Sequence, residues 1–113
     1  MIPLPSSFIN SPIIVWGTGL FYNQTKHLFD IADPIMFIDS DIIKQKNLFE
    51  GKEVKSPDFL KSYTLRSEKI LVFVTVYEEI KNVLESFGLQ EGEHFAFPLL
   101  YIYKNFITQL HAE

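Results

Sequence analysis

The 113-residue chain has no cysteine, which excludes disulfide bonds, thiol catalysis and cysteine-ligated metal sites. Arg66 is its only arginine, so the bidentate forks that usually clamp phosphate and carboxylate groups are scarce. The formal net charge of -4 is spread without long runs of one sign, and it argues against nucleic acid as a partner. Any bound phosphate is therefore expected to be held mainly by backbone groups.

Long apolar runs are also missing. None approaches the roughly 20 residues that span a bilayer, and the N-terminus lacks the basic region and apolar core of a signal peptide. Together with the lack of cysteine, this predicts a cytoplasmic protein with no membrane partner. The 47% hydrophobic and 15% aromatic content indicates a packed globule. We expect one domain over residues 1–113, either complete or part of a longer protein.

The most informative stretch is the apolar run 13–16, which ends in Gly17-Thr18-Gly19 and precedes a helix-like segment, 20–30. A buried strand that leads through a glycine turn into a helix is how a Rossmann-type unit begins. Free N–H groups and the positive end of the helix can face an anion there. The alternative is a tight turn that needs glycine for its geometry alone.

Strand-like and helix-like segments alternate along the rest of the chain. This pattern predicts an α/β fold, a Rossmann-like three-layer sandwich with a parallel sheet of four or five strands in the order 3-2-1-4-5. A capping-box pattern, Thr75 to Glu78, predicts the start of one helix and Gly88 its end. The expected strands after the first are 35–39, 53–55, 69–74 and 94–97, and the expected helices are 20–30, 56–63, 75–88 and 99–110, with a short helix or loop at 41–47.

Six residues are candidates for binding a cofactor. Asp39 follows the second strand, where such folds accept hydrogen bonds from ribose hydroxyls, although it equally suits a cap for the next loop. Ligands of open parallel sheets bind where the strand order reverses, so residues after the strand 69–74 should approach the glycine turn. Thr75, with Glu78, is already explained as a helix cap. The candidates are Gly17, Thr18, Gly19, Asp39, Thr75 and Tyr77.

One position departs from the dinucleotide fingerprint Gly-x-Gly-x-x-Gly. Tyr22 stands where the third glycine allows close packing of helix on strand, so either the helix stands off or the tyrosine points outward. The three histidines have no metal-ligand spacing, and no Ser, His and acid set is visible. No catalytic residue and no metal site is predicted.

Four motifs resemble a known family: Trp16–Gly19, Phe37–Asp41, Gly51–Pro57 with Leu60, and Val76–Gly88. They resemble the small Rossmann-like domains attached to methyltransferases and acyltransferases in bacterial polysaccharide and sugar-nucleotide metabolism. The likeness covers most of positions 13–90. It implies either a nucleotide-type ligand at the glycine turn, such as S-adenosylmethionine, NAD(P) or a sugar nucleotide, or a scaffold beside a catalytic domain.

The glycine turn predicts a nucleotide- or cofactor-binding accessory domain, and the resemblance implies that it belongs to a sugar- or polysaccharide-modifying enzyme. The domain is not expected to be catalytic on its own, and an enzyme containing it would be a methyl- or acyltransferase. The alternative is a degenerate Rossmann scaffold that acts in protein–protein interaction through its aromatic C-terminal helix. Its partner would be a second copy of the chain or an attached catalytic domain. One face of that helix carries Leu99, Tyr103, Phe106, Ile107 and Leu110.

Overall fold

The sheet has the predicted order. The computed structural model describes residues 1 to 111 and contains five parallel strands in the order β3-β2-β1-β4-β5. The chain is thus an α/β protein with a Rossmann-like three-layer architecture, as the alternating segments predicted. The strands are β1 (Ile13–Trp16), β2 (Met36–Ile38), β3 (Val54–Lys55), β4 (Lys69–Val72) and β5 (Phe95–Ala96).

Helices cover both faces of the sheet, and short 3-10 turns lie at Ser6–Phe8 and Lys26–Leu28. None of the helices in residues 1 to 111 is long and apolar enough to cross a membrane. The helices are α1 (Leu20–Thr25), α2 (Ile42–Gln45), α3 (Phe59–Ser62), α4 (Glu78–Ser86) and α5 (Pro98–His111).

Successive residues of β1 belong alternately to two separate hydrophobic cores. Ile13 and Val15 pack with the side chains of α1 and the N-terminal residues, whereas Ile14 and Trp16 pack with those of α3 and α4. All four residues of β1 are buried because each face of the sheet is covered. This explains why the run is continuously apolar rather than alternating.

The first helix is shorter than predicted. It ends at Thr25, not at position 30, and a 3-10 turn follows. The Thr25 hydroxyl donates a hydrogen bond of 2.6 Å to the Phe21 carbonyl oxygen, which offers the backbone an alternative to continued helix. Because macrodipoles sum over aligned peptides, a six-residue helix offers little positive charge at its start.

Tyr22 occupies the position of the third glycine in the dinucleotide fingerprint. Its side chain points inward and is 2% exposed, and its ring edge meets Phe37 and Phe73 at centroid distances of 5.5 and 5.1 Å. The phenol donates a hydrogen bond of 3.1 Å to Oε1 of Glu50. Burial, and then the Glu50 carboxylate, raises the pKa of Tyr22 above its usual value. The aromatic ring therefore packs between α1 and the sheet, and of the two alternatives for this position the outward-pointing tyrosine is wrong.

The predicted capping box of α4 is wrong. The helix begins at Glu78, and its N-cap is Tyr77, which makes no side-chain capping bond. The Tyr77 ring packs on Phe97 at a centroid distance of 4.9 Å, and this contact fixes the chain entering the helix. Two carboxylates in the first turn, from Glu78 and Glu79, suit the positive end of the helix.

The predicted stop at Gly88 is confirmed. Gly88 has φ +84, and its N–H donates to the Glu85 carbonyl, while the Leu89 N–H donates to the Leu84 carbonyl. These two bonds form a Schellman motif, which satisfies carbonyls that the end of the helix would otherwise leave unpaired.

The closing helix packs on one side only. The Ile2 N–H donates to the Leu28 carbonyl oxygen at 2.8 Å, and Ile2 and Leu4 pack with Tyr101 and Ile102 against the core. Other apolar side chains of α5 remain exposed: Tyr103, Phe106 and Leu110.

Candidate functional site

Gly17 is required by the fold itself. It has φ +112, and a β-carbon there would lie 2.6 Å from the Phe73 carbonyl oxygen. Its N–H donates to the Ile38 carbonyl oxygen at 2.8 Å. The turn therefore leaves β1 pressed between the ends of β2 and β4, where only glycine fits. The geometry of the turn therefore explains by itself why residue 17 is glycine.

Gly19 has no such structural need. Its φ of −94° is open to any residue, and the nearest atom to an added β-carbon is the Lys44 Nζ, at 3.7 Å. Neither backbone strain nor packing within the described residues accounts for a glycine here. What it provides is a backbone without a side chain next to the Lys44 ammonium group.

Asp39 and Thr18, both predicted site residues, are brought together. The Asp39 Oδ2 accepts hydrogen bonds from the Thr18 N–H at 3.1 Å and from the Thr18 hydroxyl at 2.7 Å. Its Oδ1 accepts from the Asp41 N–H at 2.9 Å. These contacts tie the turn after β1 to the loop after β2.

The environment of Asp39 favours its charged form. Burial disfavours the carboxylate, but hydrogen bonds from the Asp41 N–H and from Thr18, together with Lys44, outweigh it. They hold the pKa of Asp39 below its usual value. The carboxylate therefore stays ionised at neutral pH.

Asp39 caps the loop after β2, which is one of the two roles predicted for it. The other predicted role is to accept a hydrogen bond from a ribose hydroxyl. Asp41 then caps α2, since its Oδ1 accepts from the Ile43 N–H at 2.9 Å. A carboxylate oxygen can accept two hydrogen bonds, and within residues 1 to 111 the Asp39 Oδ1 accepts one. The Asp39 side chain is 15% exposed. A ribose hydroxyl therefore has an acceptor left to bind.

The sequence interpretation missed Lys44. Its Nζ lies 3.9 Å from the Asp39 Oδ2, and its side chain is 42% exposed. The sequence predicts that a bound phosphate is held mainly by backbone groups. That prediction omits the Lys44 ammonium group, which lies beside the glycine turn. The available signal was the spacing of Asp39, Asp41 and Lys44: once Asp41 caps the short helix, the third residue after it returns toward the glycine turn.

Apolar surface lies next to these polar groups. A cavity of about 220 Å³ opens beside Thr18, lined by residues that include Ile43, Lys44, Leu48 and Phe49. This volume is below the ~300–1,000 Å³ of whole ligand pockets and suits a single ring. Exposed apolar side chains also follow the ends of β1, β2 and β4, namely Leu20, Ile42 and Val76.

The remaining candidates, Thr75 and Tyr77, have other surroundings. Thr75 is exposed in the loop after β4, and the Tyr77 ring packs on Phe97. The residue of this loop that meets the glycine turn is Phe73, through its carbonyl oxygen. A ligand contact from Thr75 or Tyr77 stays a prediction.

The lowered pKa of Asp39 makes stability depend on pH. Its contribution should be fully present above the unfolded pKa of about 3.9 and be lost as the pH falls through the lower folded value. We expect Asp39→Ala to reduce the free energy of unfolding by roughly 1.5–3 kcal/mol at pH 7, and by much less at pH values below the folded pKa. Urea denaturation across this range measures the difference.

Asp30, an exposed aspartate, supplies the control for this experiment. Asp30→Ala should change stability little at any pH, as is usual for surface substitutions. An equal loss for Asp39→Ala at both ends of the pH range would show that the charge of Asp39 does not stabilise the turn.

No family model, curated protein or solved structure matches the chain. The site combines a glycine turn, a carboxylate tied to that turn, a lysine and adjoining apolar surface. In the part of the chain that the structure describes, no group of three or more His, Asp or Glu side chains is placed to hold a metal ion.

Proposed function

We propose that the chain is an accessory Rossmann-like domain that binds a nucleotide-type ligand at the carboxyl edge of its sheet, where the parallel strands end. The observation that carries this proposal is the unexplained glycine at position 19, where an added β-carbon would meet only the Lys44 ammonium, at a contact distance of 3.7 Å. Glycine commonly occurs where a ligand approaches the backbone closely, and the fold gives no other need for it at this position.

The site offers a contact for each part of a nucleotide. Lys44 and the backbone at Gly19 suit a phosphate, and the remaining acceptor position on the Asp39 Oδ1 suits a ribose hydroxyl. The cavity beside Thr18 has the size and apolar lining for a ring. Phosphate, sugar and ring would then lie along one edge of the sheet.

The charge at the turn favours some of the expected ligands over others. An ammonium attracts a diphosphate, so sugar nucleotides and NAD(P) suit Lys44 better than S-adenosylmethionine, whose sulfonium is itself cationic. We therefore place diphosphate-bearing nucleotides first.

Binding is a better role for this site than catalysis. A carboxylate with a lowered pKa is a weak base at neutral pH, so Asp39 is poorly suited to general acid–base chemistry. The resemblance to domains of polysaccharide and sugar-nucleotide metabolism supports service to a methyl- or acyltransferase that performs the reaction. That assignment rests on analogy between folds.

The ligand proposal predicts a charge-dependent thermal shift. UDP-glucose or NAD⁺ at about 100 times its dissociation constant should stabilise the folded chain by about 2.7 kcal/mol. Lys44→Met should weaken that binding by roughly tenfold or more, because it removes a charge-assisted contact. Differential scanning fluorimetry, followed by calorimetric titration, measures both effects.

Two further variants sharpen this test. Lys46→Met, at the C-terminal end of α2, removes an equal charge from an exposed position and should leave affinity unchanged. Gly19→Val should fold, because its backbone is extended, yet lose the ligand. The proposal fails if no phosphate-bearing nucleotide shifts the melting temperature, or if Lys44→Met and Lys46→Met weaken binding equally.

The protein-interaction alternative also has structural support. Tyr103, Phe106 and Leu110 are exposed on α5, and none of them belongs to the nucleotide site. The two roles use different residues, so one does not exclude the other.

A further inference from the structure

The exposed side of α5 has the spacing of a coiled-coil seam. Tyr103, Phe106 and Leu110 are 66%, 57% and 57% exposed, and with the partly buried Leu99 they are separated by four, three and four residues. Apolar residues at alternating intervals of three and four keep one face of a helix toward a second helix. The partner that fits this stripe is therefore another helix.

The stripe is also symmetric in side-chain size. It reads leucine, aromatic, aromatic, leucine, so a two-fold axis between Tyr103 and Phe106 exchanges Leu99 with Leu110 and one aromatic with the other. We infer that the occupant is a second copy of this chain, whose α5 packs antiparallel against the first. Such a contact is self-complementary and closed, as in most homodimers.

Charge permits this pairing. Helix α5 contains no acidic residue and one lysine, Lys104, which lies outside the stripe, and the neighbours of the seam, Ile102, Ile107 and Gln109, are uncharged. In an antiparallel pair Lys104 lies level with Asn105 of the second copy, whereas a parallel pair would place the two Lys104 side chains at the same level. The antiparallel arrangement therefore avoids opposing like charges.

The available area indicates a weak, reversible dimer. An aromatic side chain buries about 150–250 Å² when fully covered, so Tyr103 and Phe106 offer roughly 200–300 Å² per protomer at their observed exposure. A standard stable interface buries about 800 Å² per partner. The dimer should form at high protein concentration and dissociate on dilution.

Sedimentation velocity of the chain over a concentration series tests the inference. The sedimentation coefficient should rise with concentration, and Phe106→Asp should raise the dissociation constant by at least about tenfold. Thr108→Asp places the same charge at an exposed position outside the stripe and should leave association intact. A strict monomer at every concentration, or equal losses in both variants, would overturn the inference.

Cysteine cross-linking tests the orientation, because the native chain contains no cysteine. A mixture of Leu99→Cys and Leu110→Cys chains should form a disulfide-linked dimer on mild oxidation, and neither variant alone should do so. Linkage of Leu110→Cys to itself would overturn the antiparallel arrangement.

This inference specifies the partner for the protein-interaction alternative and does not depend on the nucleotide site. Phe106→Asp should keep the melting temperature of the monomer and its thermal shift with UDP-glucose. Failure of dimerisation and failure of ligand binding are thus separate outcomes.

Discussion

Gly17→Ala should destabilise the chain by about 3–5 kcal/mol, combining backbone strain with overpacking against a fixed neighbour. The residue has φ +112, and the added methyl carbon would lie 2.6 Å from the Phe73 carbonyl oxygen. That oxygen belongs to the backbone at the end of β4 and cannot rotate away as a side chain can. Equilibrium urea unfolding followed by circular dichroism measures the loss, which is large against a typical stability of about 5–15 kcal/mol.

Gly19→Ala is the matched control in the same turn. Its φ of −94° is accessible to alanine, and the nearest atom is the end of a flexible lysine at 3.7 Å. Its stability should stay within about 1 kcal/mol of the native chain. If the two variants lose equal stability, the approach of Phe73 to Gly17 is not what requires glycine.

Tyr22→Ala should have the next largest effect, a loss of about 3–5 kcal/mol. The side chain is fully enclosed, and its ring makes edge-to-face contacts with Phe37, Phe49 and Phe73. Removing the ring leaves a cavity between α1 and the sheet, because the surrounding rings can close it only in part. The free energy of unfolding in urea is again the measured quantity.

Tyr22→Phe separates the ring from its hydroxyl. This variant keeps the aromatic contacts and loses the hydrogen bond to Glu50, so it should cost only about 0.5–1.5 kcal/mol. A loss as large as that of Tyr22→Ala would mean that the hydroxyl, rather than the ring, holds α1 in place.

The sheet could be predicted because its signals are local. The run 13–16 is continuously apolar and becomes β1 at the predicted bounds. Short alternating elements and right-handed crossovers then leave few strand orders, and the observed order is the predicted one. Gly88 ends α4 as predicted, since a left-handed glycine stop depends on a single residue.

The starts of the helices and the position of the Lys44 side chain depend on tertiary contacts. The start of α4 follows the packing of Tyr77 on Phe97, which outweighs the local capping pattern. The inward direction of Tyr22 follows from its aromatic neighbours Phe37, on β2, and Phe73, directly after β4. Of the predicted site, Thr18 and Asp39 meet through hydrogen bonds, whereas the position of Lys44 appears only once α2 is folded against the turn.

The outermost strands have a consequence for behaviour at high concentration. Both β3 and β5 are two residues long, so each offers few unpaired groups to an intruding strand. The Lys55–Glu53 ion pair, at 2.8 Å, adds charge along β3, and Pro98 follows β5 without an N–H to donate. Sheet edges of this kind resist the addition of strands from other chains. The chain should therefore be able to stand next to copies of itself, or beside a fused domain, without swapping strands or seeding fibrils.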